Sequence, residues 1–431
     1  MYRPSKTILS ARAYYHALQQ LNRDVRIYLL TAVLCGFTLS GVYSVLLNLY
    51  LLRLGYDPSF IGTVNAAGQA AFIFLSIPAG AMGQRWGTRR LIIAGIASYF
   101  VGYALLPLAE FAPAGWQASW LIGANLITSF GGPLYWTNGN LFMMEKTSSV
   151  ERNHAFSLRT AFFPLAGFVG SLAGGVLPGR FAHLLGVTLD DPAPYRFSLL
   201  LASLLFLPAL WAMTRASDTV AQKRVREVEK TAVSPPWKTA PLALFITLGV
   251  VMFLRTAGES AARSFFNVYL DDFFHVPTVQ IGTVAAITLL LTVPAALLTP
   301  ALASRWGNGR VFLVAIIGMG ICMLPLAFVS NWLVAALCYM CLMVFAAATQ
   351  PTIYVYRLEV VTAVWWALMS GVGGTFHGLG QATATFGGGR LITAVGYHNF
   401  FLLATVVTFT GALGFWLFDR TPQREVVHEV L

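Results

Sequence analysis

Apolar residues gather along this chain in long runs separated by short polar connections. A helix that crosses a bilayer needs about 20 largely apolar residues. Runs of that kind lie near 27–52, 59–83, 91–109, 117–143, 157–178, 196–214, 241–268, 280–303, 311–329, 332–356, 364–388 and 396–418. The longest internal connection, "RASDTVAQKRVREVEKTAVSPPWK" at 215–238, is polar and basic and divides six runs from six. The pattern predicts an all-α integral membrane protein with twelve transmembrane helices in two pseudo-symmetric bundles. Residues 1–214 form the first with a short N-terminal segment, 215–239 the linker, and 240–431 the second with a short tail.

Composition agrees. The chain has 431 residues, 57% hydrophobic and 10% charged, against about 25% charged in a soluble protein; too few polar groups remain to cover a water-facing exterior. The net charge of +11 would suggest nucleic acid if it were patched on a surface, but the basic residues sit in the connections. With the N-terminus in the cytoplasm, cytoplasmic segments hold 22 Lys and Arg and outer loops four, Arg53, Arg180, Arg196 and Arg390. That is the positive-inside signature. It predicts a multi-pass protein of the plasma membrane with both termini cytoplasmic, and it argues against a nucleic-acid partner. Cys35, Cys322, Cys338 and Cys341 all lie in apolar runs, and no second pair or histidine cluster joins Cys338-x-x-Cys341 to build a metal site. The apolar run after the basic N-terminus is too long for a signal peptide.

The two sets of six are related. Residues 61–90, "IGTVNAAGQAAFIFLSIPAGAMGQRWGTRR", align without gaps with 281–310, "IGTVAAITLLLTVPAALLTPALASRWGNGR", and share ten of thirty positions, "IGTV" and "RWG" among them. A weaker echo pairs Gly179-Arg180 and Gly186 with Gly389-Arg390 and Gly396. Six spans are an even number, so both copies enter the membrane in the same direction, which implies a pseudo-twofold axis along its normal.

Twelve spans, duplicated halves and a basic loop after the second span resemble the major facilitator superfamily over essentially the whole chain. Its loop motif runs G-x-x-x-D-R-x-G-R-R. This chain offers Gly80, Gln84-Arg85, Gly87 and Thr88-Arg89-Arg90, then Pro300, Ser304-Arg305, Gly307 and Arg310 in the second half. The resemblance implies a tight cytoplasmic gating turn whose arginines dock on helix C-termini and carboxylates. Here the acidic position is Gln84 or Ser304, so that charge lock is weakened. The fourth span lacks the arginine of many proton-driven exporters, and the fifth lacks the Gly-Pro step of antiporters. Direction of transport stays open.

Three charges stand in the seventh apolar run, "LFITLGVVMFLRTAGESAARSFFNVYL": Arg255, Glu259 and Arg263. Four-residue steps place them within an arc of about 80° on one helix side. An unpaired charge at mid-bilayer costs about 2.5–3.5 kcal/mol on insertion scales, so this side must face a polar interior, where Glu259 pairs with either arginine. Two readings follow, a self-neutralising ladder that fixes packing, or a substrate and proton-coupling site. The resemblance adds that the first, fourth, seventh and tenth spans line a central cavity. Glu259 is then the candidate proton carrier and Arg255 the candidate contact for an anionic substrate group. His377 in the eleventh run is a second proton-relay candidate, a packed neutral imidazole being the alternative. Candidate cavity-lining groups are Tyr43 and Asn48 on the first span, Asn125, Tyr135, Trp136 and Asn138 on the fourth, and Gln350 and Tyr354 on the tenth.

These features predict a monomeric secondary active transporter that moves a small organic solute across the bilayer by alternating access, coupled to protons. No Walker motif, catalytic constellation or cofactor motif is present in the sequence, so an enzyme is not expected. A transporter-fold sensor or scaffold is the alternative.

Overall fold

The computed structural model describes residues 22–147, 149–217, 242–361 and 365–420. Most of the linker at 215–239 lies outside the described residues, as do the start and end of the chain. Every regular element among the described residues is helical, and each of the twelve predicted runs coincides with a helix. These are α1 (Arg23–Arg53), α2 (Pro58–Trp86), α3 (Thr88–Phe111), α4 (Ala114–Lys146), α5 (Ser149–Leu185), α6 (Ala193–Thr214), α7 (Leu242–Phe273), α8 (Thr278–Trp306), α9 (Asn308–Ala327) and α10 (Trp332–Glu359). The last helical stretch, Trp366–Arg420, loses helical geometry at Gly396 (φ 79°, ψ 171°), which divides it into α11 (366–395) and α12 (397–420). Among the described residues, ten stretches are long and apolar enough by themselves to cross a membrane. The polar residues of α4, Asn125, Asn138 and Asn140 among them, keep it off that set, and α11 and α12 count there as one.

Local chemistry sets the ends. Asn22 caps α1, its side-chain oxygen accepting from the Asp24 amide at 3.2 Å. Asp57 caps α2 through the Phe60 amide at 3.0 Å, with Pro58 at the first helical position where its missing N–H costs nothing. Gly87 (φ 93°) and Gly307 (φ 84°) turn the chain between α2 and α3 and between α8 and α9. Both conformations strain any residue with a Cβ, which accounts for the invariant "RWG" of the two copies.

The duplication runs deeper than the aligned segment. "LPLA" occurs at 106–109 and again at 324–327, each time as a 3₁₀ turn closing the third helix of its half. In each half a tyrosine hydroxyl from the first helix donates to a carbonyl of that turn, Tyr50 to Pro107 at 3.0 Å and Tyr269 to Leu326 at 3.3 Å. The backbone at Gly55 (φ 85°) and His275 (φ 54°) takes the same left-handed turn at matching places, after α1 and after α7.

The halves meet through α2 on α11, α5 on α8 and α1 on α7. Two glycine crossings let backbones touch. A Cβ on Gly62 would meet the Thr385 carbonyl and sit 3.2 Å from Gly389 Cα, and one on Gly282 would sit 2.6 Å from Gly175 Cα. Gly62 and Gly282 are the glycines of the two "IGTV" copies, so that repeat marks the seam. Polar ties across the seam cluster at the end remote from the basic loops. Arg53 makes a bidentate pair with Asp271 at 2.6 and 2.7 Å. Asn48 donates to the Ser264 carbonyl at 2.9 Å, Asn267 to the Ser44 carbonyl at 2.9 Å, and Tyr195 and Thr278 hydroxyls lie 3.0 Å apart. The largest apolar core also spans both halves at this end. Toward the basic loops this core continues in the first half alone, through Tyr28, Phe142 and Met213, while α7 and α9–α12 hold a separate cluster and α1 and α5 a small one.

Candidate functional site

The charged row of α7 points inward, as lipid cannot solvate it. Arg255 is fully buried. Its Nη2 donates to Glu259 Oε2, and its Nη1 lies 3.4 Å from Thr256 Oγ1. Arg263 Nη2 donates to the other oxygen, Glu259 Oε1, at 2.6 Å. One carboxylate therefore bridges two guanidinium groups. The row also reaches α11, because Thr256 Oγ1 lies 2.9 Å from His377 Nδ1. The sequence placed Arg255, Glu259, Arg263 and His377 on two separate helices; the fold joins them into one hydrogen-bonded group.

Exposure divides the row. The Arg255 side chain is 0% exposed and that of Glu259 10%, while Arg263 is 57% exposed. Arg263 faces a cavity of about 300 Å³ between the halves, whose other walls come from α1, α2, α3 and α4 and, through Thr385, from α11. Arg255, expected to meet the substrate, does not border this cavity. Its guanidinium is sealed behind Glu259, and Arg263 is the cation of the row that reaches the cavity.

Three predicted lining groups, Tyr43, Asn48 and Asn125, do border this cavity. Tyr43 also fastens α1, donating to the carbonyls of Leu199 at 2.8 Å and Tyr103 at 3.1 Å. Asn125 donates to the Val64 carbonyl at 2.6 Å and so holds α4 against α2. The other five do not border it. Tyr135 is buried with its hydroxyl 3.1 Å from Thr31 Oγ1, and Asn138 donates to the Ala79 and Leu134 carbonyls at 3.2 and 3.0 Å. Both look into their own bundle, where a buried amide or phenol must find a partner. Trp136 lies beneath the Arg159 guanidinium, 4.7 Å from its ring centre. Gln350 and Tyr354 are exposed on α10 away from the cavity.

Sequence reasoning missed Asn65 and Gln69 on α2 and Tyr99 and Tyr103 on α3, all of which line the cavity. The signal was available, since each pair is spaced by four residues within an apolar run and so shares a helix face. Asn65 donates to Asn48 Oδ1 at 3.2 Å, extending an amide row from α1 to α2.

The basic loops follow the implied arrangement in part. Arg89 donates to the Met213 and Thr214 carbonyls at 3.3 and 2.6 Å, docking on the C-terminus of α6 where the helix dipole favours a cation. Arg85, Arg90, Arg305 and Arg310 are exposed. Gly80 borders Thr137, 3.6 Å from where its Cβ would lie. The side chain of Gln84 lies outside the described ones. Where the resemblance implies a basic residue after the loop glycine, Thr88 donates to Glu145 Oε2 at 2.9 Å. In the other half Asn308 donates to Glu359 Oε1 at 2.8 Å. A neutral donor on a carboxylate thus ties the third helix to the fourth, and the ninth to the tenth.

Solved structures with the same architecture are transporters. The chain superimposes on the nucleoside transporter NupG with a TM-score of 0.71 at 14% identity, covering 92% of this chain and 99% of that one. An inward-facing, unoccupied bacterial homologue of the human lysosomal transporter Spinster gives 0.71 at 14% identity, with 98% and 99% covered. A D-xylose–proton symporter gives 0.69 at 14% identity, with 95% and 99% covered. At such identities the likeness shows the fold. The sequence itself matches the profile of the Major Facilitator Superfamily over residues 28–257 and again over 248–430. With twofold related helical halves around a polar cavity, the chain belongs to the Major Facilitator Superfamily of membrane transporters.

Proposed function

We propose that this protein is a secondary active transporter that carries a small organic anion by alternating access, with Glu259 as the proton-coupling group. The observation that carries the reading is the exposed Arg263 guanidinium on a polar cavity between the halves, held by a carboxylate that is itself nearly buried. Arg263 retains donors not used on Glu259, which suits a carboxylate or phosphate group on the substrate. Asn48, Asn65, Gln69 and Asn125 supply both donors and acceptors for the rest of a polar molecule. Arg263 is the charged residue in the lining of this cavity, which favours an anionic group over a cationic one.

Glu259 stands between this cation and the Arg255–Thr256–His377 group. Protonation of Glu259 frees Arg263 to pair with substrate, and substrate release returns Arg263 to the carboxylate. His377, bonded to Thr256, is the adjacent site through which the proton passes. The halves, 1–214 and 240–431 joined by 215–239, rock about their seam. The far end is tied by Arg53–Asp271 and the core divides toward the basic loops, which corresponds to a state closed outside and opening inside. The positive-inside count puts those loops and both termini in the cytoplasm, with the plasma membrane as the site of action.

Uptake of candidate organic anions into proteoliposomes, with and without an imposed pH gradient, tests the reading. Glu259→Gln retains substrate binding by thermal shift and loses the response to the gradient. Full gradient-driven uptake by that variant refutes the coupling role. Binding without flux in the parent protein assigns a sensor role and refutes transport.

A further inference from the structure

A second cavity lies on the other side of α7. It has a volume of about 220 Å³ and is bounded by α7, α11 and α12. Its walls are apolar, with Leu254 and Ala257 from α7, Gly387 and Gly388 from α11, and Leu403 and Val407 from α12. It shares no lining residue with the polar cavity. Gly387 opens it, since a Cβ there would meet nothing within 4 Å. Leu403, 46% exposed, places its mouth on the outer face of the bundle.

Shape and charge select an occupant. The lining covers 253–261, 383–391 and 400–407, three parallel stretches of about 12 Å at 1.5 Å per residue. A slot that runs along the helices admits a chain lying parallel to them and excludes a compact polar solute. At its far end stands Arg390, next to the lining residue Leu391 and 3.6 Å from the Phe386 ring centre. Of the four far-end arginines, Arg53 is paired with Asp271 and Arg196 with Glu110. Arg390 and Arg180 have no carboxylate partner among the described residues, and Arg390 is the one beside the slot. A basic side chain at the interface attracts anionic headgroups. We propose that this slot holds one acyl chain of an anionic phospholipid, with its phosphate on Arg390.

Native mass spectrometry of the full-length protein, extracted from vesicles of equal phosphatidylglycerol and phosphatidylcholine, tests the assignment. The parent protein retains one phosphatidylglycerol per chain. Arg390→Gln lowers the phosphatidylglycerol preference about fivefold, and Arg180→Gln, a far-end arginine without a slot, leaves it unchanged. Gly387→Leu fills the slot and abolishes retention of both lipids, with parental elution on size exclusion confirming its fold. Equal preference in the Arg390 and Arg180 variants overturns the proposal, as does undiminished retention in folded Gly387→Leu. A dimer mass that Gly387→Leu removes assigns the slot to a second copy of the chain, and overturns it too.

Discussion

Replacing Asp271 by Asn cuts the strongest tie across the seam at its far end. The pair is bidentate at 2.6 and 2.7 Å, with Arg53 18% and Asp271 7% exposed, so it is only partly screened by water. Asparagine keeps one acceptor but loses the charge, and hydrogen bonds to charged groups contribute about 1.5–3 kcal/mol. We take about 2 kcal/mol as the loss. It falls on the outward-closed state alone, because opening parts Arg53 from Asp271 and hydrates both. The ratio of closed to open chains then drops about 30-fold. Ser44, at the seam beside the polar cavity, reports the change. With the four native cysteines replaced, Ser44→Cys is labelled from outside by a membrane-impermeant maleimide at a rate that follows the open fraction. Asp271→Asn and Arg53→Gln each raise that rate about 30-fold. An unchanged rate in both refutes the view that this pair holds the far end shut.

Arg255 and Arg263 separate by the kind of damage they produce. Arg255→Ala empties a fully buried site beside Glu259 and Thr256 and destabilises the fold by about 2–5 kcal/mol through the cavity it leaves, read as a lowered melting temperature; Arg263→Ala leaves the melting temperature within a few degrees and weakens substrate binding about tenfold or more. Asn65→Ala removes a donor from the amide row and raises the substrate Kd about 5- to 10-fold, read by isothermal titration. Gly87→Ala places a Cβ at φ 93° and costs about 1–3 kcal/mol, so thermal unfolding shifts down, and Gly307→Ala matches it.

The twelve runs, the repeat and the α7 row were legible because each depends on a one-dimensional property: run length, matching residues, or four-residue spacing. "IGTV" stood out as a repeat, but its meaning as a backbone crossing needed the partner glycines Gly389 and Gly175, which no local pattern links to it. Tyr135 and Asn138, expected at the cavity, lie within their own bundle, and the sequence did not show it for a related reason. A helix apolar on every side gives no amphipathic stripe, so its polar residues do not declare whether they face the lumen or their own bundle. Asn65 and Gln69 carried a face in their spacing, yet α2 was not among the helices the resemblance singled out. Burial ranked Arg263 above Arg255 as a ligand contact, and spacing alone treats the two alike.

The two glycine crossings also set a gear ratio. Gly62 stands 4 residues from the start of α2 and 24 from Trp86, and Gly282 holds the same place in α8. If the halves roll about these points, the arms are about 6 Å toward the far end and about 36 Å toward the loops. A tilt of about 10° then parts the loop ends by about 6 Å per helix and the far ends by only about 1 Å. The same small roll therefore makes a wide mouth at the basic-loop end and only a narrow crack at the far end, and on the transport reading the far end is where size is selected.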